Sequence, residues 1–218
     1  MIRKVIGIYF SPVGGTAMMT ESLAREVAGK LNECSPEDIT VECHDLLRES
    51  GAGIQLNEDT IAVIGMPVCM GKIPLPGARA LEMISGTGAL TLAAVSYGGR
   101  SYGNALYELQ HCAEDLGLSV IGAGAFLVRY QAVVGSQKRS VAMIDMATLD
   151  DFCKAASDKI KRLSGCEVEG LKIRPMPVEL NGRMPVHKIS RISPKAAAFA
   201  QEVCERLSLT RRHSEWFL

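Results

Sequence analysis

Continuous apolar runs alternate along this chain with segments in which apolar residues recur every three or four positions. The runs lie at residues 4–10, 60–65, 89–95 and 118–126. A strand that helices cover on both faces has this continuous apolar character, so each run predicts a buried strand of a parallel sheet. A shorter strand is predicted at residues 39–43.

The segments between these runs have the periodicity of amphipathic helices. The first helix begins near residue 17 and repeats an apolar residue at every fourth position: Met19, Leu23, Val27 and Leu31. Further along the chain, helices are predicted at residues 78–84, 105–116 and 152–163.

Strands and helices therefore alternate along residues 1–164, which predicts an α/β fold with a doubly wound parallel sheet. Residues 45–59 have weak signals and are expected to be loop with some helix. Residues 165–218 have low periodicity and several prolines, and they predict a C-terminal extension with one helix. In such a fold, ligands bind at the carboxyl ends of the strands, where the winding direction reverses.

Composition and charge narrow the class of protein. Of the 218 residues, 47% are hydrophobic and 22% are charged, as in globular proteins. The 24 basic residues equal the 24 acidic ones, whereas a nonspecific nucleic-acid binder has a basic excess, so no nucleic-acid partner is expected. No run approaches the ~18 apolar residues of a membrane span, and no signal peptide precedes the first strand, so no membrane partner is expected.

The cysteine pattern indicates a reducing compartment. The chain has seven cysteines, an odd number, and no CxxC motif. Such usage argues against a disulfide framework and favours free thiols in the cytoplasm. The four histidines are scattered without metal-ligand spacing, so no metal site is predicted.

The loop after the first strand has the character of an anion site. Residues 11–16 read Ser-Pro-Val-Gly-Gly-Thr and precede a helix. The glycines allow a tight turn that presents main-chain amides, the helix adds its positive end, and Ser11 and Thr16 offer hydroxyls. The loop lacks the lysine of a nucleoside-triphosphate loop and the G-x-G-x-x-G spacing, so a single phosphate monoester fits best. An ordinary strand-to-helix turn explains these residues equally well.

Two further strands end in loops of related character. Residues 65–74 read Gly-Met-Pro-Val-Cys-Met-Gly-Lys-Ile-Pro, and residues 97–103 read Tyr-Gly-Gly-Arg-Ser-Tyr-Gly. Tyr97 and Tyr102 suit stacking on a planar ring, and the glycine amides suit its polar edge. Each loop alone is explained by capping glycines and half-buried tyrosines, but three such loops at one sheet edge favour a ligand site.

The order and spacing of these motifs, together with Gly-Ala-Phe at residues 124–126, resemble flavodoxin-like proteins over roughly residues 3–163. The nearest subgroup is the flavodoxin half of flavodoxin–ferredoxin fusion proteins, the EFR type. The resemblance implies a three-layer fold with strand order 2-1-3-4-5 and FMN at the carboxyl edge of the sheet. It implies that the first loop holds the FMN phosphate and the other two enclose the isoalloxazine. The residues that it assigns to FMN are Ser11, Val13, Gly14, Gly15, Thr16, Pro67, Val68, Cys69, Met70, Gly71, Lys72, Tyr97, Gly98, Gly99, Arg100, Ser101 and Tyr102.

Four features depart from that family. Val13 stands where the family has a hydroxyl, and Cys69 stands where the subgroup has a tyrosine. The chain is neutral, whereas flavodoxins are acidic. Cys204 stands alone where the fusion proteins carry an iron–sulfur motif, so no cluster is expected. These departures motivate an alternative, a flavodoxin-fold module that has lost FMN and acts as a binding or scaffold domain.

The leading functional hypothesis is an FMN protein that transfers electrons, either as a carrier or as a small NAD(P)H-linked flavin reductase. Its partner is then a redox protein or NAD(P)H, and the sequence leaves open whether it forms a homodimer. Because the flavin supplies the chemistry, no catalytic residue is assigned. Arg129 is a candidate for the site edge, and Cys69 is expected to be an inert thiol. A hydrolase or transferase is disfavoured, since the chain has no G-x-S-x-G elbow and its loops carry no carboxylate pair.

Overall fold

We describe a computed structural model of the chain for residues 2–49, 53–86, 88–99, 101–132 and 140–163. All of them lie in the first of the two units into which the chain divides, Met1–Pro175. The second unit, Met176–Leu218, lies outside the described residues, and so does the whole extension predicted at residues 165–218. The boundary that the sequence places after residue 164 stays a prediction.

The described part of the chain contains eight strands, four α-helices and a 3-10 helix at Leu81–Met83. In chain order the strands and α-helices are β1 (Lys4–Tyr9), α1 (Gly15–Asn32), β2 (Thr40–Asp45), β3 (Ile54–Leu56), β4 (Thr60–Pro67), α2 (Leu75–Ala80), β5 (Ile84–Gly86), β6 (Leu90–Tyr97), α3 (Ala105–Asp115), β7 (Ser119–Ala132), β8 (Ser140–Ile144) and α4 (Met146–Leu163).

The central sheet has six strands in the order β2-β1-β4-β6-β7-β8. The first five are parallel, and their order corresponds to the predicted 2-1-3-4-5 arrangement. Because β1 has its sequence neighbour β2 on one side and β4 on the other, the winding direction reverses between β1 and β4. The prediction of a doubly wound α/β fold is therefore confirmed.

Helices cover both faces of this sheet. On one face, Val5 of β1, Leu23 of α1 and Ile160 of α4 belong to a single buried cluster. On the other face, Gly77 of α2 lies over Met66, and α3 packs against β6 and β7. Full burial of one such aliphatic side chain stabilises the folded state by about 1.5–3 kcal/mol. Burial on both faces therefore fixes the position of the sheet between the helices.

The two helices on the first face are also joined by polar contacts. The Lys30 ammonium at the end of α1 lies 2.7 Å from a carboxylate oxygen of Asp150 in α4. Asp145 precedes α4 and caps it, since its carboxylate accepts hydrogen bonds from the Ala147 amide at 3.1 Å and from the Thr148 hydroxyl at 2.9 Å. These hydrogen bonds, with that of Thr148 the largest cause, lower the pKa of Asp145.

Two short strands correct the predictions for the middle of the chain. The segment at 45–59, expected to be loop with some helix, contains β3. The helix expected at 78–84 is helical up to Met83, since α2 begins earlier, at Leu75, and a 3-10 helix follows at Leu81–Met83, but β5 begins at Ile84. β3 and β5 pair in parallel as a separate sheet, with Ile54 opposite Ile84. Both isoleucines are buried. Burial of these strands against each other, across thirty positions of sequence, outweighs their weak local preferences.

The last parallel strand is longer than predicted. It was expected to end at residue 126, but β7 continues to Ala132, and its final part pairs with the antiparallel strand β8. Residues 119–127 of β7 pair with β6 on one side. The register shifts between Thr91 and Leu92, and there the Lys159 ammonium donates a hydrogen bond to the Ile121 carbonyl at 2.7 Å.

Among the described residues, no helix is both long enough and apolar enough to cross a membrane.

Candidate functional site

Three loops leave the sheet side by side, at the carboxyl ends of β1, β4 and β6. Main-chain hydrogen bonds fix their starting points. The Phe10 amide donates to the Gly65 carbonyl at 3.2 Å, and the Val68 amide donates to the Ser96 carbonyl at 2.9 Å. The loops predicted to form one site therefore lie at one edge of one sheet, next to the point where the winding direction reverses.

The first loop presents main chain at the start of α1. Gly14 is the N-cap residue, with a left-handed φ of 87°, and a Cβ atom there would meet no other atom within 4 Å. The amides of Gly15 and Thr16 lie in the first helical turn, where no carbonyl of the helix can accept their hydrogen bonds. The side chain of Val13 is 45% exposed. This arrangement of amides at the positive end of a helix suits a bound anion.

The two hydroxyls of this loop have partners within the protein. Ser11 Oγ accepts a hydrogen bond from the Ala17 amide at 2.9 Å. The oxygens Thr16 Oγ1 and Ser96 Oγ lie 2.7 Å apart and are hydrogen-bonded, and both residues are buried. The hydroxyls predicted as phosphate donors thus hold the loop to α1 and to the end of β6.

The second loop contains a tight turn with its tip in solvent. The Cys69 amide donates to the Lys72 carbonyl at 2.8 Å, and the Lys72 amide donates to the Cys69 carbonyl at 3.0 Å. Between them Met70 and Gly71 have φ values of 52° and 81°, as a turn with two left-handed residues requires. Met70 is 67% exposed. Its side chain therefore projects from the site edge.

Glu108 of α3 fixes the base of the second loop. One of its carboxylate oxygens accepts a hydrogen bond from the Ile73 amide at 3.0 Å. The other lies 3.9 Å from the ammonium of Lys72, whose side chain is largely exposed. Among the described residues of the three loops, Lys72 is the one with a charged side chain. The predicted residues Pro67 and Val68 lie just before this turn and are half-buried.

The second and third loops are in direct main-chain contact. The Asn104 amide donates to the Gly71 carbonyl at 2.7 Å, and Gly103 lies directly against Gly71. Ser101 Oγ accepts a hydrogen bond from the Gly103 amide at 3.0 Å. This contact holds together the two loops that were predicted to enclose the isoalloxazine ring.

Two tyrosines flank the third loop. The ring centroids of Tyr97 and Tyr102 are 5.8 Å apart, and their planes are inclined at 60°. Gly98 and Gly99 between them are exposed, and Arg100, also predicted for the site, lies outside the described residues. A planar ligand could contact the tyrosines and the glycine amides together, since aromatic pairs accept tilted as well as stacked partners.

Sequence reasoning missed the residues that join the loops. Ser96, Asn104 and Glu108 are not among the residues predicted for the site. The polar character of Ser96 within an otherwise apolar strand is a signal that could have identified it. No group of three metal-ligating side chains occurs within the described part of the chain.

The cysteines give a first testable prediction. Burial raises the pKa of the Cys69 thiol, and burial likewise raises that of Cys153 to about 12, whereas Cys34 is exposed. At pH 7.5 we expect iodoacetamide to modify Cys34 at least about tenfold faster than Cys69 or Cys153, because the thiolate is the reactive form. The rate at Cys69 should increase as the pH rises towards its pKa.

A time course of peptide mass spectrometry measures these rates. Equal rates at Cys69 and Cys34 would contradict the prediction and indicate an activated thiol in the second loop.

The architecture defines a class before any comparison: a doubly wound α/β protein with a candidate anion-binding loop at its topological switch point. Comparison with solved structures identifies the fold. An oxidoreductase from Corynebacterium diphtheriae is similar with a TM-score of 0.51 at 15% identity, covering 74% of this chain and 96% of that chain. Oxidised flavodoxin 1 from Bacillus cereus is similar with a TM-score of 0.50 at 18% identity, covering 73% of this chain and 99% of that chain. The chain has the flavodoxin-like fold.

The comparisons at the level of sequence gave no match. No protein-family model matches the chain, and the curated proteins include no similar sequence.

Proposed function

We propose that this protein is a flavodoxin-like FMN protein that transfers electrons in the cytoplasm, as a carrier or as a small NAD(P)H-linked flavin reductase. The observation that carries the proposal is the mutual contact of the three loops at one sheet edge. Thr16 of the first loop bonds Ser96 before the third, and Gly71 of the second bonds Asn104 after it. Loops joined in this way form one continuous ligand site.

The first loop fits a phosphate monoester. The open surroundings of Gly14 and the amides of the first turn of α1 leave main-chain donors for its oxygens. Val13 contributes only its amide. Ser11 Oγ accepts from the Ala17 amide, so its own O–H is left to donate, and we assign phosphate binding to the main chain together with this hydroxyl. The Thr16 hydroxyl, which is hydrogen-bonded to Ser96, is assigned to holding the loop.

The second and third loops suit the isoalloxazine. Tyr97 and Tyr102 offer aromatic surface, while the main chain of residues 68–72 and the exposed glycines after Tyr97 offer polar groups for the ring edge. FMN supplies the electron-transfer chemistry when bound, and the chain binds and orients it. The neutral overall charge argues for a partner other than a strongly basic protein.

The nearest subgroup, in this proposal, is the flavodoxin half of EFR-type fusion proteins, on the strength of the loop motifs. The electron partner is a redox protein or NAD(P)H. A second candidate is a module of the same fold that has lost FMN. It is favoured by one observation, namely that the Thr16 hydroxyl is hydrogen-bonded to Ser96 within the protein, in a loop where Val13 offers no hydroxyl.

Titration with FMN separates the two candidates. We expect the purified protein to be yellow, or to quench added FMN fluorescence with a Kd of about 1 µM or below, equivalent to about −8 kcal/mol. Riboflavin, which lacks the phosphate, is the matched control and should bind about 100-fold more weakly. A colourless protein that leaves FMN fluorescence unchanged would establish the second candidate instead. Equal affinity for both flavins would contradict the assignment of the first loop.

A further inference from the structure

A cavity of about 460 Å³ lies beside the third loop, on the side away from the first. This volume falls within the range of about 300–1,000 Å³ that is usual for small-molecule sites. Its lining is mainly apolar with a few polar groups, and includes Tyr97, Phe126, Leu127, Arg129, Met143 and Asp145. Of these, only Tyr97 belongs to the residues assigned to FMN.

The end of β8 creates this cavity. Ile144, the last residue of β8, pairs with Val128, and Met143 pairs with Arg129. The part of β7 before Val128 therefore has no partner in β8. Residues 125–127 in this part of β7 line the cavity. Because cross-strand partners point to the same face, Met143 and Arg129 lie next to each other at the cavity rim.

The two charged side chains of the lining differ in their availability to a ligand. The Asp145 carboxylate accepts hydrogen bonds from the Ala147 amide and the Thr148 hydroxyl at the positive end of α4, which holds it to that helix. Arg129 is exposed, and among the described residues no carboxylate forms an ion pair with it. The Arg129 guanidinium is therefore the charged group of the lining that we assign to a ligand.

We propose that this cavity binds a small planar aromatic anion, with the ring against Leu127 and Met143 and the anionic group on Arg129. A carboxylate or sulfonate on the ring matches the fork of a guanidinium, which donates two parallel hydrogen bonds. The site goes beyond the proposed FMN function and does not depend on it. Tyr97 brings its ligand next to the third loop.

Calorimetric titration with naphthalene-2-sulfonate tests the proposal on the full chain. We expect saturable binding that Arg129→Gln weakens about tenfold or more, the loss of about 1.4 kcal/mol. Arg79→Gln, which removes an exposed arginine on α2, is the matched control and should leave the affinity unchanged. Met143→Asp provides a second variant, because Met143 is 52% exposed and its replacement leaves the core intact. The new carboxylate beside Arg129 should lower the affinity for naphthalene-2-sulfonate at least as much as Arg129→Gln does.

Several outcomes would overturn this proposal. Equal binding of uncharged 2-naphthol, or equal loss in the Arg79 and Arg129 variants, would show that the guanidinium at this rim does not recognise an anion. Tighter binding of 2-naphthylmethylammonium would assign the cavity to a cation at Asp145. Displacement of the probe by saturating FMN would show that the cavity belongs to the flavin site. If the protein binds no FMN, the comparison of the Arg129 and Arg79 variants still tests whether this cavity binds the anion.

Discussion

The Gly14→Val variant should lose FMN affinity by about 100-fold or more. Gly14 has a φ of 87° at the start of α1, a conformation that a β-branched residue essentially never adopts. The variant must move the loop and with it the amides before the first helical turn. A hydrogen bond to a charged group contributes about 1.5–3 kcal/mol, so loss of two of them accounts for the expected change.

Two control variants isolate this effect. Gly29→Val changes a glycine that lies in the same helix, has open surroundings and is far from the loop. Cys69→Ser changes the second loop by one atom. Fluorescence titration should give affinities within about threefold of the unaltered protein for both. An unchanged affinity in Gly14→Val would mean that the phosphate does not bind to this main chain.

The Gly103→Ala variant should lose both stability and flavin affinity. Gly103 has a φ of 54°, and its added Cβ would collide with main-chain atoms of Gly71, including the carbonyl oxygen that accepts the Asn104 hydrogen bond. A left-handed alanine costs about 1–2 kcal/mol. Overpacking against main chain, which cannot rotate away as a side chain does, adds about 1–3 kcal/mol. We expect the free energy of unfolding to fall by about 2–5 kcal/mol.

Urea denaturation and FMN titration measure the two losses. Gly99→Ala is the matched control in the same loop, since a Cβ at Gly99 would meet no atom within 4 Å and its φ is not left-handed. We expect the Gly103 variant, but not the Gly99 variant, to bind FMN about tenfold more weakly. Identical urea midpoints for the two would show that the contact between the second and third loops is not a constraint on the fold.

The sequence predicted the sheet well because its central strands are buried on both faces. A run such as residues 60–65 has no polar interruption, and this property depends on local composition alone. The start of α1 was placed near residue 17 rather than at Gly15, because two small polar residues at a helix start have no periodicity. The alternation of strands and helices predicted a parallel sheet, and the strand order came from the resemblance to flavodoxin-like proteins.

The failures concern elements that depend on distant partners. β3 and β5 have three residues each, too few for a pattern, and they form because Ile54 and Ile84 are buried as a pair. The end of β7 and all of β8 exist through pairing with each other. Composition at 127–132 does not distinguish such a strand from a loop, because its partner lies at residues 140–144.

For the candidate site, sequence reasoning placed the loops but not the bonds between them. Glycines and tyrosines after strands were visible as motifs. The Thr16–Ser96 hydrogen bond joins residues 80 positions apart, and no local pattern predicts that a threonine at a helix start meets a serine of another strand. The same is true of the hydrogen bond between Gly71 and Asn104, which depends on how the turn of the second loop lies against the start of α3.

The hydrogen bond from Lys159 to Ile121 has a consequence for self-association. A strand that adds to a sheet pairs with main-chain carbonyls of the strand it joins, and repeated addition leads to fibrous aggregates. The Ile121 carbonyl already accepts a hydrogen bond from the Lys159 ammonium, a strongly hydrated charged group. Another chain could bond to this carbonyl only by displacing the lysine.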